Sequence, residues 1–286
     1  MKHLRTGPLA LGLALAAAAC GEITEAPIES VDESAAITFG EPDGNDHPYV
    51  GTLLFVQNGV GYYACTGTLL SPTVMLTAGH CVEEGGNVND VTYVRFTEDA
   101  LAGIGDYRTT AAWLKAEWIK ASAVIPHPQY DDFSQFPATY DVGLVILSKP
   151  VVLDTYGALP ELGLLERLAT GNGDDKMFTA VGYGQQGVIN PFYGDDYVRR
   201  QATTRLLDVE STRTGPSHSA KFSNSPGQGS GSGGTCYGDS GGPIFYGDTN
   251  IIGAITSFGY TPCIGNDFNF RIDIATSLEF IAPYLN

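Results

Sequence analysis

The sequence predicts an all-β protein, and three observations carry that expectation. The chain is dense in turn formers and aromatic residues, with 36 Gly, 16 Pro and 15 Tyr among 286 residues. Its apolar residues fall into short runs bounded by turn residues, too short and too β-branched or aromatic for a helical bundle. Helical spacing is confined to the end, "IATSLEFIAPYLN", where Leu278, Ile281 and Leu285 recur at three-to-four intervals. The length suits a two-lobed protein with a sizeable core.

In chain order, the first stretch, "MKHLRTGPLALGLALAAAAC", has a basic start at Lys2 and Arg5 and an apolar run from Pro8 to Ala19. It reads as a secretory leader over residues 1–19, too short for a comfortable membrane span. Cys20 followed by Gly21 resembles a lipoprotein cleavage site, at which the cysteine would be lipidated; Ala17 stands where that pattern prefers leucine. Ordinary cleavage after an Ala-x-Ala sequence is the other reading, and both imply export, either secreted or anchored at the cell envelope. Residues 20–36 are acidic and aperiodic, a propeptide or tether. The folded part, 37–286, begins near Ile37.

Seven strand candidates follow: "YVGTLLFV", "GTLLSPTVMLTAGHC", "DVTYVRF", "DVGLVIL", "MFTAVGYG", "GPIFYG" and "IIGAITSFGY". The Gly/Ser-rich "SNSPGQGSGSGGT" is read as a loop inside one unit, because too little chain follows it for a separate domain. The formal net charge of -17 argues against nucleic-acid partners, which need a basic footprint. Of the five cysteines, setting Cys20 aside leaves Cys65, Cys81, Cys236 and Cys263. Four cysteines allow three pairings, and the nearest-in-sequence one, Cys65 with Cys81 and Cys236 with Cys263, is the expectation taken. No CxxC spacing supports zinc instead.

The chemistry centres on "GTCYGDSGGPIF", Gly234 to Phe245. A serine hydroxyl such as that of Ser240 becomes a nucleophile only beside a base, which needs a third group to orient it. Of the histidines, His3 leaves with the leader, and His47 in "DHPY" and His127 in "PHPQY" sit in proline-bounded contexts typical of exposed loops. His80 closes an apolar run beside Cys81, where a strand would stop. Asp141 opens a run apolar enough to be buried, where a charge is costly unless paired. The G-x-S-x-G of an α/β-hydrolase elbow is also satisfied around Ser240, but that fold needs a histidine after the serine and none follows.

Taken together, "LTAGHC", "DVGLVIL" and "GDSGGP" resemble the trypsin-like, chymotrypsin-fold serine proteases of bacterial secreted type, in that family's chain order. The resemblance implies two packed six-stranded antiparallel β-barrels, about 37–171 and 172–286, with a short C-terminal helix. It implies an endopeptidase acting on protein or peptide substrates, as a monomer and without cofactor or metal. His80 would be general base and then acid, Asp141 its orienting carboxylate and Ser240 the nucleophile. The N–H groups of Gly238 and Ser240 would bind the oxyanion.

By the same resemblance, cleavage after Ala36 would free Ile37 to pair with Asp239. The basic residue usual before that cut is absent, which implies another activating protease or another route. If Cys20 is lipidated, the cut would also release the enzyme. The pocket would take Gly234, Thr235, Ser257, Phe258 and Gly259, with Phe268 near its rim. Gly234 at the floor carries no carboxylate, and Thr256 stands where glutamate-specific relatives carry histidine. An apolar residue before the cut (P1) is therefore favoured over Lys or Arg. The alternative is a non-catalytic surface or binding protein retaining the fold; an esterase using the same site is a third reading.

Overall fold

Alternation of apolar and polar residues, and runs buried on both faces, set the strands of this chain. A computed structural model describes residues 37–286 other than 58–59, 84–90, 172, 188–195, 210–217, 228–230 and 286. The leader, the acidic segment 20–36 and Cys20 lie outside the described residues. Among the described residues, no helix is long and apolar enough to cross a membrane.

After a short β1 (Glu41–Pro42), the first barrel is built from β2 (Val50–Gln57), β3 (Val60–Leu69), β4 (Val74–Thr77), β5 (Val91–Arg95), β6 (Ile119–Pro126) and β7 (Gly143–Leu147). They close in the order β2-β3-β4-β7-β6-β5. The second barrel uses β8 (Met177–Gly182), β9 (Arg200–Asp208), β10 (Ser219–Ser223), β11 (Pro243–Tyr246), β12 (Ile252–Gly259) and β13 (Asn266–Arg271). Its order is β9-β10-β13-β12-β11-β8, closed by pairing of β8 with β9. The fold is therefore two closed six-stranded antiparallel barrels, and both lie in one compact unit, Ser34–Asn286.

Four α-helices occur among the described residues: α1 (His80–Glu83), α2 (Thr110–Glu117), α3 (Leu164–Ala169) and α4 (Ala275–Ile281). Only α4 is visible in the sequence pattern. The others are at most eight residues long, shorter than the window in which helical spacing becomes readable. What holds them is local chemistry and tertiary burial. The Thr109 side chain caps α2 by accepting from the Ala112 N–H at 3.2 Å. Leu164, Leu165 and Leu168 of α3 are buried in the second barrel's core.

Each end of the described residues crosses to the opposite lobe. Residues 37–42, grouped with the first barrel in the sequence reading, belong structurally to the second: β1 pairs with β9, Thr38 bridges Gly234, and Ile37 is fully buried in that barrel's core. At the other end, the ring of Phe280 on α4 packs 5.0 Å from His127 of the first barrel. Arg199 stitches the junction. Wholly buried, it donates to Asp43 Oδ2 at 2.8 Å, to the Val50 and Phe96 carbonyls at 3.0 Å, and to the Tyr183 hydroxyl at 3.1 Å. Burial and the nearby Asp43 raise the Tyr183 phenol to about 12, with the Arg199 charge opposing.

Candidate active site

Pairing of β4 with β7 sets Thr77 opposite Gly143, which brings the residues just beyond each strand to one end of the first barrel. His80 follows Thr77 and Asp141 precedes Gly143. The His80 backbone N–H donates to Asp141 Oδ1 at 2.8 Å, and its ring Nδ1 lies 3.0 Å from Oδ2 and 3.1 Å from Oδ1. Ser257 of β12 donates its hydroxyl to Asp141 Oδ2 at 2.5 Å. Asp141 is therefore fully buried with three donor groups around it, which removes the cost of an unpaired interior charge. His80 keeps 26% of its side chain exposed. A bridge between Cys65 and Cys81 ties α1 to β3.

Ser240 comes from the second barrel, on a tight turn that leads into β11. The Asp239 N–H donates to the Cys236 carbonyl at 3.1 Å, and the Gly242 N–H to the Asp239 carbonyl at 2.7 Å. The turn is held against the first barrel by Thr66, whose N–H donates to the Ser240 carbonyl at 2.8 Å and whose hydroxyl donates to the Gly238 carbonyl at 2.9 Å. Gly241 lies where the two barrels touch: a Cβ there would meet Thr77 Oγ1 at 2.1 Å, and its φ of +77° also favours glycine. The Ser240 hydroxyl and the N–H groups of Gly238 and Ser240 make no hydrogen bond among the described residues.

Asp239 is fully buried, and its carboxylate accepts from the N–H groups of Gly184 and Cys236, each at 2.8 Å. These bonds brace the turn from behind. In the intact chain, Ile37 is seated in the second barrel's core and the Gly234 N–H donates to the Thr38 carbonyl at 3.1 Å. The segment that the resemblance assigns to activation thus packs beside the Ser240 turn.

Beside Ser240 opens a pocket of about 220 Å³. Thr235, Ser257, Phe258 and Gly259 line it, as do Thr256, Tyr237, Tyr260 and the bridged pair Cys236 and Cys263. One position differs from the sequence expectation. Gly234 does not line the pocket, because the Asn224 amide packs onto it so closely that a Cβ would lie 2.0 Å from Asn224 Oδ1. Asn224 faces the pocket instead. Phe268, expected near the rim, is buried and stacked on the lining residue Phe258 at 5.0 Å.

Sequence reasoning missed Asn224 and Asp267. Asp267, on β13, lines the pocket and is buried. Burial pushes its carboxyl up to about 6, although the Thr235 hydroxyl and the Asn269 amide donate to it. Gly234 is uncharged as expected, but the pocket as a whole has a carboxylate, supplied by the strand paired with β10 and β12. The signal available in the sequence was an Asp alternating with Phe268 and Phe270 in a strand otherwise buried.

Two of the histidines also differ from expectation. His127 is buried, stacked on Tyr140 at 5.1 Å, and its Nδ1 accepts from the Gln129 N–H at 3.1 Å. His47 is half-buried, its Nδ1 2.5 Å from Asp43 Oδ1. The prolines beside them fix the turns, but the rings fold inward. A larger open depression of about 1,090 Å³, lined by acidic residues including Glu41, Asp46, Asp154 and Asp248, contains none of His80, Asp141 and Ser240.

Comparison with known proteins agrees with this fold. A trypsin-like protease of Streptomyces glaucescens is 26% identical over 258 residues, covering 84% of this chain and 80% of that one. Spermosin of Halocynthia roretzi is 26% identical over 234 residues, covering 77% of this chain and 54% of its own. Chymotrypsin-like elastase family member 1 of Macaca fascicularis is 25% identical over 138 residues, 47% of each chain. The matches thus span about half the length of the macaque and Halocynthia relatives. The solved structure of HL collagenase superposes with a TM-score of 0.63 at 19% identity, over 87% of this chain and 98% of that one, a likeness of fold. The family model described as Trypsin matches residues 37–281, nearly all of the described chain, and the protein belongs to the trypsin family.

Proposed function

We propose that the protein is an exported serine endopeptidase that cleaves peptide bonds through an acyl-enzyme. The observation that supports this reading is the buried Asp141 3.0 Å from the His80 ring, with the Ser240 carbonyl of the other barrel 3.6 Å from the sulfur of Cys81, the residue next to His80. Asp141 accepts from His80 Nδ1, so Nε2 is the basic nitrogen and faces the cleft. Nε2 takes the Ser240 proton as Oγ bonds to the scissile carbonyl carbon. The resulting oxyanion is received by the N–H groups of Gly238 and Ser240. His80 then gives the proton to the leaving amine as the C–N bond breaks. A water, deprotonated by the same imidazole, splits the ester and restores Ser240.

The pocket beside Ser240 receives the side chain that precedes the cut. The apolar P1 residue that Gly234 alone suggests is not carried into this proposal, because Asp267 adds a carboxylate to the pocket. Substrates are proteins or peptides, and an extended one would add as a strand along Ser257 to Gly259. Export rests on residues 1–19, with release into the medium or retention through Cys20 as its two forms. Cleavage after Ala36 by another protease is the proposed route to the mature N-terminus.

The test exposes the protein and its Ser240→Ala variant to a fluorophosphonate probe and a mixed peptide library. Labelling and cleavage confined to the parent are expected; equal labelling of the variant would remove Ser240 from the mechanism. No labelling of either would favour a binding protein that keeps the fold. Mass spectrometry of the mature N-terminus reports leader cleavage, lipid and processing at Ala36 together.

A further inference from the structure

Asp141 is fixed by the donors around its carboxylate and by the path of the backbone through it, and that path is a costly one. The preceding residue, Tyr140, has a φ of +48°, in the left-handed region that glycine takes freely and a side chain disfavours. Its carbonyl accepts from the Val142 N–H at 2.8 Å, so Asp141 is the middle residue of a three-residue turn. The Val142 carbonyl in turn accepts from the His127 N–H at 2.9 Å. This turn sets the direction in which the Asp141 side chain leaves the backbone, towards the N–H and ring of His80. A residue persists in such a conformation only where its surroundings over-determine it.

The surroundings that do so here grip the Tyr140 ring. It stacks on His127 with centroids 5.1 Å apart and planes at 15°, and it meets His218 edge to face at 4.9 Å and 79°. His127 packs in turn on Phe280 of α4 at 5.0 Å, and His218 on Phe270 of β13 at 6.1 Å. The rings of Phe280, His127, Tyr140, His218 and Phe270 thus form one column. His127 follows β6 and Tyr140 lies just before β7, whereas His218 immediately precedes β10, so the column joins the two barrels. It is anchored along its length. His127 is buried, with its Nδ1 accepting from the Gln129 N–H at 3.1 Å; Phe270 is fully buried; and the His218 carbonyl accepts from the Arg271 N–H at 3.0 Å. Aromatic pairs in these geometries attract beyond the area they bury. The Tyr140 hydroxyl makes no hydrogen bond among the described residues, so the grip is on the ring itself.

We propose that Tyr140 is a positioning residue for the reaction: its ring, clamped between His127 and His218, locks the turn at Asp141 and so keeps the carboxylate aligned with His80. This deepens the peptidase reading and rests on Asp141 as the carboxylate that orients His80. Tyr140 acts through the backbone of its neighbour. Because one jaw of the clamp is His218, the second barrel supplies the alignment of the first barrel's carboxylate as well as the Ser240 turn.

Tyr140→Gly removes the ring while suiting the φ of +48°, so it frees the turn without straining it. On a peptide substrate its kcat should fall about 100-fold, the size of a misplacement of about 1 Å, with KM little changed. Tyr140→Phe keeps the column and should recover most of the parent's kcat. Proton NMR reads the alignment directly. The His80 Nδ1 proton, donated to Asp141, should resonate far downfield and be identified by its absence in His80→Ala. It should persist in Tyr140→Phe and shift upfield or vanish in Tyr140→Gly, with thermal unfolding showing that both variants are folded; a loss of stability alone would not move it. If Tyr140→Gly does not fold, His218→Ala tests the same column from the second barrel, with kcat about tenfold down and the same displacement of the resonance. Parent-like kcat and resonance in Tyr140→Gly, a change in KM alone, or equal losses in the Gly and Phe variants would each overturn the proposal. Failure of the fluorophosphonate probe to label Ser240 sinks the peptidase reading instead and leaves the Nδ1 resonance in the same variants to judge Tyr140.

Discussion

Asp141 and Asp267 are two buried carboxylates near one pocket, Asp267 lining it and Asp141 accepting from Ser257 of its wall, and the fold treats them differently. Asp141 is met by a backbone N–H, an imidazole and a hydroxyl, all from residues fixed by barrel strands or their ends. Asp267 is met by one hydroxyl and one amide, and burial raises its carboxyl to about 6. One group is finished by the protein itself. The other keeps fewer donors than its burial calls for.

That contrast can be broken most severely at the finished end. Asp141→Asn should leave the structure intact but lower kcat by about 10⁴-fold, the size known for the Ser-His-Asp template, because the amide can favour the wrong imidazole tautomer. Steady-state kinetics on a peptide substrate, with thermal unfolding as the control for folding, measures it. A loss below tenfold would show that Asp141 does not orient His80.

Asp43 sharpens the comparison as a third buried carboxylate, this time in a structural pair. Burial would raise it, yet hydrogen bonds from His47 and the Arg199 charge lower it overall. Asp43→Ala strands the wholly buried Arg199 guanidinium and should cost about 3–5 kcal/mol in urea unfolding. A loss under 1 kcal/mol would mean that water or another group replaces Asp43.

Asp267 should have the opposite sign. Its folded value lies above the ordinary carboxylate value of 3.8, so the native state holds a proton that the unfolded chain releases. Its contribution is full below pH 4 and declines as pH rises to 6, by about 3 kcal/mol. Asp267→Asn should therefore be more stable than the parent at pH 8, and the advantage should vanish near pH 4. Urea midpoints at the two pH values decide it, and a destabilised variant at pH 8 would contradict the account.

The smallest effect concerns the histidines packed behind the finished carboxylate. His127 and His218 flank Tyr140, the neighbour of Asp141, with ring centroids at 5.1 and 4.9 Å. Both are lowered by burial, His127 further by His218, and His218 further by Arg271. Their contribution is full above the unfolded value near 6.5 and is lost as pH falls below it. His127→Phe keeps the ring stack and removes the titration, so its stability relative to the parent should improve between pH 7.5 and 5. An unchanged difference would show that His127 does not titrate in that range.

How much of this the sequence shows depends on how local the determinant is. His80, Asp141 and Ser240 sit in compact motifs whose neighbours prescribe the turn or strand end that each needs, and the strands declare themselves by apolar runs. Asn224 and Asp267 sit in no motif. They meet because β10 pairs with β13, Phe222 opposite Asp267, and register between strands far apart in sequence is written only in tertiary packing. Residues 37–42 are illegible for the same reason, since two strand residues that join β9 carry no periodicity. Helices α2 and α3 depend on one cap and on three buried leucines.

The crossed termini bear on how the molecule would come apart. The front of the chain is bound into the back barrel through β1, and α4 at the end of the chain lies against the front one at His127. A protease that nicks the connection between Leu147 and Met177 cuts one covalent link and leaves both clasps closed. The two fragments should run as separate bands under denaturing conditions yet migrate as one particle when native. A half expressed without its counterpart lacks the strap that the other half carries, β1 for the second barrel and α4 for the first.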